Sequence, residues 1–149
     1  MKYFAGFDCC SKSIACVIFD SNKNIVDSFF IESTKKIWED RLTELVTELD
    51  KVKVTINIAY IETPIYMQNI KATNSIARVV GIVHSWLIRN NIPDFEVDVK
   101  AWKKGVLGNG NAKKEEIMKF VKSNYGSKLI YNQDLADAAC ISLWGVIRG

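Results

Sequence analysis

Apolar positions recur along this chain with two periods, and the switches between them mark out its elements. Residues 3–8 (Tyr-Phe-Ala-Gly-Phe-Asp) and 13–19 (Ser-Ile-Ala-Cys-Val-Ile-Phe) are apolar runs of strand length. Asp20-Ser21-Asn22-Lys23-Asn24 is turn chemistry and predicts a hairpin into a third strand at about 25–31. Over 35–50 the spacing becomes helical, with Ile37, Trp38, Leu42, Leu45, Val46 and Leu49 separated by acids and bases. A β-rich run at 54–62 is stopped by Pro64. From about 69 to 89 the pattern is a long helix, apolar around much of its circumference, closed by Asn90-Asn91-Ile92-Pro93. Gly81 within it offers room for another helix to approach. A fifth strand at 95–99, a lysine-rich stretch and the loop Gly108-Asn109-Gly110-Asn111 follow. A helix then begins near Ala112 with Asn111 as its N-cap, and a last helix covers 133–147. The order βββ-α-β-α-β-α-α predicts one α/β domain over 1–149. Its sheet is mixed and five-stranded, with helices on both faces.

Composition narrows the class. The 149 residues, 48% hydrophobic and 25% charged, suffice for a packed core and leave no disordered or repetitive tract. No apolar run reaches the length of a membrane span. Met1-Lys2 leads straight into a strand with no signal peptide, so a cytoplasmic protein without a membrane partner is expected. Cys9, Cys10, Cys16 and Cys140 lack the paired spacing of a zinc site and read as free thiols used as small apolar residues. The single histidine, His84, lies in an apolar helical stretch and reads as a core or interface residue. A Ser-His-Asp hydrolase would have to be built on it, which disfavours that class. The net charge of +3 is unevenly spread: Lys100, Lys103, Lys104, Lys113, Lys114, Lys119, Lys122 and Lys128 are opposed locally only by Glu115 and Glu116. That segment carries +6 and leaves −3 on the rest. It suits a phosphate-facing surface, and equally a solvated helix face.

The acids bear the chemistry. Asp8 closes the first apolar run and Glu62 the fourth, which places both carboxylates where open α/β sheets bind ligands. Asp134 and Asp137 are three apart and share one face of an alanine-rich helix. A carboxylate buried there needs a cation or a hydrogen-bonding partner. If the first and fourth strands are neighbours, the last helix can bring its acid pair against the two strand acids. Four such carboxylates suit hard divalent ions, Mg²⁺ or Mn²⁺. Two ions about 3.5–4 Å apart can activate water and stabilise the leaving oxygen of a phosphodiester. Each acid also has an ordinary alternative: Asp8 as a turn cap, Glu62 as a surface turn residue, Asp134 as a response to the helix dipole.

At these residues the chain resembles the RuvC-type Holliday junction resolvases of the RNase H-like superfamily. Gly6-Phe7-Asp8, Ile61-Glu62 and Asp134-Leu135-Ala136-Asp137-Ala138-Ala139 look like that family's active-site blocks. The stretch from Val99 to Lys114 looks like its lysine, glycine-x-glycine, alanine, lysine block. The small size suggests the phage or viral branch. The resemblance implies an RNase H-like fold and a homodimer. It implies a structure-selective endodeoxyribonuclease that nicks a four-way DNA junction at symmetric positions with Mg²⁺ or Mn²⁺, two ions per site. It assigns Asp8, Glu62, Asp134 and Asp137 as metal ligands, and Lys103 and Lys114 as basic residues at the scissile phosphate. Further DNA contacts are expected from Lys100, Lys104, Gly108, Asn109, Gly110 and Lys113.

The chain departs from the family pattern in two places. Cys9-Cys10-Ser11 stands where a proline- or glycine-containing turn usually follows the first acid. The base-stacking aromatic after the strand-four acid has Tyr66 as its nearest counterpart, one position off. The spacing Gly105 to Gly110 mimics a P-loop, but Asn111-Ala112 follows where Lys-Ser/Thr is needed, so no nucleotide cofactor is expected. The loop reads instead as a turn presenting amides and lysines to a DNA phosphate at a helix start. On the long apolar helix Val79, Ile82, Val83, Trp86 and Leu87 read first as core, and the helix, which needs cover on more than one side, is expected to supply part of a two-fold interface. Trp102 reads as packing against the sheet. Two other functions share the acid set: another RNase H-like nuclease acting on RNA–DNA hybrid, branched replication DNA or precursor ribosomal RNA, and a non-catalytic junction-binding module. The intact acids argue against the module, and the lysine block favours the junction.

Overall fold

The structure, a computed structural model, describes residues 1–64 and 69–149. A meander of three antiparallel strands opens it: β1 (Tyr3–Cys10), β2 (Ser13–Asp20) and β3 (Ile25–Glu32). The β2–β3 turn is held by the Asp20 carboxylate, which accepts from the amides of Asn22 and Asn24 at 2.8 and 3.0 Å. Helix α1 (Trp38–Asp50) leads to β4 (Ile58–Glu62), and α2 (Ile70–Arg89) to β5 (Asp94–Val97). Both later strands are parallel to β1, and the sheet order is β3-β2-β1-β4-β5. Three helices follow: α3 (Val99–Leu107), α4 (Lys114–Tyr125) and α5 (Gln133–Arg148). This is the expected mixed five-stranded sheet, and period-two alternation along its strands feeds a core on each face. Phe4, Val17, Phe19 and Tyr60 pack with α3, α4 and α5. Phe7, Cys16, Ile18 and Ile61 pack with α1 and α2.

Several expectations are corrected. The lysine-rich stretch is a helix, α3, because Asp98 leaves the strand to cap it, accepting from the Lys100 amide. The fifth strand therefore ends at Val97. The first strand does not end at Asp8. Its ladder with β2 continues through Cys10, which pairs with Ser13. Residues 54–57 stay outside the fourth strand, where the Asn57 side chain caps the start of β1 by accepting from the Tyr3 amide at 2.7 Å. Asn111 does not cap α4, which starts at Lys114 with Lys113 at the N-cap. No described atom comes within 4 Å of a Cβ built on Gly81, so no helix among the described residues packs into the room it leaves. His84 is half-buried and faces two carboxylates, Asp94 at Nδ1 and Glu96 at Nε2, tying α2 to β5.

Candidate metal centre

Strand alternation sends Phe4, Gly6, Asp8 and Cys10 toward α5, together with Ile58, Tyr60 and Glu62. Phe7 stands opposite Ile61 in the β1–β4 register, so Asp8 and Glu62 follow one residue later on adjacent parallel strands. Helix α5 is seated against them by two glycine contacts. A Cβ on Gly6 would collide with the Ala138 carbonyl oxygen and the Ser142 amide. One on Gly145 would collide with the Tyr60 ring. The buried Ser142 hydroxyl donates to the Phe4 carbonyl at 2.8 Å and fixes the helix lengthwise. The Asn132 side chain caps α5, accepting from the amides of Asp134 and Leu135 at 2.8 and 3.1 Å. Asp134 and Asp137 are thereby held over β1 and β4. The four acids found in the sequence converge.

Their electrostatics suit a bound cation. Asp8 is 7% exposed. Burial, then Asp137, Glu62 and Asp134, hold its carboxyl well above the usual carboxylate range. The charges that act on it most strongly are all other acids. Burial and Asp137 push Glu62 up to about 7, while Trp102 and Lys103 pull the other way. Burial also pushes Asp137 up to about 6, eased by Gln133, Lys103 and Lys114. Charges that raise one another's proton affinity in a buried site are what a divalent ion relieves. The donor set is almost all carboxylate oxygen, which suits Mg²⁺ or Mn²⁺.

The structure also brings in residues that the sequence reading missed. Gln133 donates its side-chain amide to the Asp137 carboxylate at 2.8 Å, one helical turn away. The i, i+4 spacing of the pair was the available signal. Trp102 is 1% exposed, as packing predicts. Its indole N–H also faces Glu62 closely enough to favour the carboxylate's charged form, while falling outside hydrogen-bonding geometry to any described residue. Cys10 lies in the cluster: its sulfur and carboxylate oxygens of Asp8 and Asp134 are all within 4.8 Å of one another. Burial and Asp8 push this thiol up to about 12, so it is no nucleophile.

The lysine block surrounds the acids unequally. Lys103, half-buried on α3, acts on Glu62 and Asp137, and Lys114, at the first turn of α4, acts on Asp137. Lys100, Lys104 and Lys113 are exposed. Gly108 takes the left-handed backbone, φ 77, that closes α3. Asn109 folds the loop on itself. Its side chain accepts from the Asn111 amide at 3.0 Å, and its carbonyl accepts from the Ala112 amide at 3.1 Å. Those two amides are spent inside the loop. Tyr66 lies outside the described residues.

The sequence model described as Crossover junction endodeoxyribonuclease RuvC matches residues 6–144. The RuvC of Brachyspira hyodysenteriae is 36% identical over 127 residues, covering 83% of this chain and 79% of that one. The RuvC of Ehrlichia chaffeensis is 28% identical over 140 residues, covering 93% and 89%. Among solved structures, T. thermophilus RuvC in complex with a Holliday junction substrate superposes with a TM-score of 0.82 at 18% identity, covering 97% of this chain and 92% of that one. The Holliday junction resolvase of fowlpox virus aligns less closely, with a TM-score of 0.53 at 15% identity. These neighbours share the RNase H-like fold. The relatives by sequence are bacterial, so the expected phage or viral branch finds no support. The chain belongs to the RuvC family of crossover junction endodeoxyribonucleases.

Proposed function

We propose that this chain is a structure-selective endodeoxyribonuclease that resolves four-way DNA junctions with Mg²⁺ or Mn²⁺, acting as a homodimer in the cytoplasm. The observation that carries the reading is the convergence of Asp8, Glu62, Asp134 and Asp137, on three elements, in a site where burial and mutual repulsion raise their proton affinity. Residues 1–149 serve as one nuclease domain. Asp8, Glu62, Asp134 and Asp137 hold the metal. Bound there, divalent ions supply the activated water and the stabilisation of the leaving oxygen that phosphodiester hydrolysis requires.

The chain's own residues do the rest. Gln133 fixes the rotamer of Asp137, and the Trp102 indole favours the charged form of Glu62 against its burial. Lys103 and Lys114 set positive charge beside the acids, where the scissile phosphate accumulates negative charge in the transition state. Lys100, Lys104 and Lys113 extend that charge along the surface and hold flanking phosphates. Gly108, Asn109 and Gly110 shape the turn that places Lys113 and Lys114. No helix of the described residues is long and apolar enough to cross a membrane. The outward side of α2, with Arg78, Gly81 and Arg89 exposed, supplies the dimer interface that presents two sites to a two-fold junction.

The test is incubation with labelled four-way junction, linear duplex and RNA–DNA hybrid, each with Mg²⁺ or Mn²⁺. Paired nicks at symmetric positions, confined to the junction, are expected. Cleavage of the hybrid alone would overturn the substrate assignment while keeping the metal site.

A further inference from the structure

The metal cluster contains a ligand that its phosphodiester chemistry does not use. Cys10 shares the α5-facing side of β1 with Asp8, and its sulfur lies within 4.8 Å of carboxylate oxygens of both Asp8 and Asp134. A thiolate is a soft ligand that discriminates strongly among divalent ions. Mg²⁺ gains little from it, whereas Zn²⁺, Cd²⁺ and Co²⁺ bind it well. Two carboxylates and one thiolate make three protein ligands, the number at which zinc keeps one open position. Asp8 is more than nine-tenths buried, its carboxylate is aimed into this group, and it forms no ion pair among the described residues, which independently marks the spot as one suited to a cation. Cys9, by strand alternation, faces the opposite core, among Phe7 and Cys16.

We propose that Asp8, Cys10 and Asp134 form a thiophilic-cation site within the acidic cluster. Occupation by Zn²⁺ withdraws Asp8 and Asp134 from the Mg²⁺ or Mn²⁺ they hold during cleavage, so zinc inhibits this nuclease. The inference rests on the reading of the four acids as a metal centre. On binding, a sulfur–metal bond forms, the S–H bond breaks and the proton leaves to solvent. No electron is transferred. Because the site uses the same two carboxylates, zinc and magnesium compete rather than bind side by side.

The full-length protein is titrated with Co²⁺ while the near-ultraviolet thiolate-to-cobalt charge-transfer band is followed. Mn²⁺-induced change in Tm is measured in parallel. A band is expected in the wild type and in Cys9→Ser, reversed by Zn²⁺ and absent from Cys10→Ser. The Zn²⁺ affinity of Cys10→Ser should fall about tenfold or more and its Mn²⁺ affinity by less than about threefold, as expected for loss of a soft ligand. Cys10→Ala serves if the serine variant does not fold. A Mn²⁺ shift without a cobalt band, or a band lost in Cys9→Ser and kept in Cys10→Ser, overturns the thiolate ligand and leaves the acids standing. Absence of both the band and the Mn²⁺ shift overturns the metal centre itself.

Discussion

Gly6 of β1 and Ala138 of α5 meet with no space for a side chain: a Cβ on Gly6 would collide with the Ala138 carbonyl oxygen and lie 2.9 Å from the Cα of Ser142. The obstacles are backbone atoms of a helix already pinned to Phe4 by Ser142, so they cannot swing aside as a flexible side chain would. Gly6→Ala should therefore push α5 off the sheet and carry Asp134 and Asp137 away from Asp8 and Glu62. Overpacking of this kind costs about 1–3 kcal/mol. Chemical denaturation should show that loss, and the Mn²⁺-induced rise in Tm should shrink with it. Cleavage that survives at the wild-type rate would mean that the site does not depend on this contact.

Glu62 reports on the metal directly. Glu62→Gln removes one of the mutually repelling acids while keeping the shape of the side chain. In the absence of metal the variant should be more stable than the wild type at pH 8. The rise of Glu62 to about 7 sets an upper limit of about 3 kcal/mol. With metal present it should bind a four-way junction and fail to cut it. A variant that cuts normally would remove Glu62 from the ligand set.

The direction of the pH effect follows from the same shifts. Glu62 ionises near 4.5 in the unfolded chain and at about 7 in the fold, and Asp137 near 3.8 and at about 6. Below the unfolded values both states are protonated and neither acid penalises folding. As pH rises through the window from 3.8 to about 7, the unfolded chain releases protons that the folded chain retains, so metal-free stability falls. Above about 7 the contribution of these two acids is complete. Calorimetry without metal should show Tm declining across that window. Excess Mn²⁺ or Mg²⁺ should remove most of the decline, because binding favours the ionised acids. A metal-free Tm that rises from pH 4.5 to 7 would contradict the repulsion among these carboxylates.

Why the acids were visible in the sequence and their supports were not has a local explanation. Asp8 and Glu62 close or interrupt apolar runs, and Asp134 and Asp137 interrupt an alanine-rich helix, so each stands out against period two or 3.6. The sheet order then follows from a turn-linked meander and two crossovers. Helix α3 was hidden because Lys100, Lys103 and Lys104 break the apolar pattern around Val99 and Trp102. Its one start signal, Asp98, sits next to a strand that accounts for the same apolar residues. Asn111 resembles an N-cap, yet it belongs to the turn closed by the Asn109 side chain, and the helix starts at Lys114. Cys10 could not be placed before the β1–β2 ladder was known to extend past Asp8. Only that extension turns the second cysteine of the pair toward the acids.

Gln133 is a positioning residue whose removal separates support from ligation. Its side-chain nitrogen donates to Asp137 at 2.8 Å and eases the charged form of that carboxylate, and its side-chain oxygen is buried without a partner among the described residues. In Gln133→Leu the donor is lost at nearly constant size. The Asp137 proton should be held more tightly, so the acid limb of the cleavage pH profile should move upward. The rate at pH 8 should fall by roughly the factor of ten or more that supports of metal ligands contribute. Gln133→Glu keeps the shape and adds a fifth acid, and it should be worse than the leucine variant at high pH. An unmoved acid limb in both variants would leave Gln133 as packing alone.

Lys114 and Lys113 are adjacent, both exposed, and differ in what they face. Lys114 acts on Asp137 from the first turn of α4, whereas Lys113 at the N-cap has no resolved effect on the acids. A charge that stabilises the reacting phosphate contributes more in the transition state than in the bound complex, while a charge on a flanking phosphate contributes equally to both. Lys114→Ala should therefore slow single-turnover cleavage of a bound junction by about 10²-fold, within the range for one transition-state donor. Its loss in junction affinity should be much smaller. Lys113→Ala should weaken binding without changing the rate in the bound complex, and should lower the salt dependence of binding by about one phosphate contact. Measured on the same junction, equal losses of rate and affinity in Lys114→Ala would reduce it to an ordinary phosphate contact. The charge at the reacting phosphate would then fall to Lys103 alone.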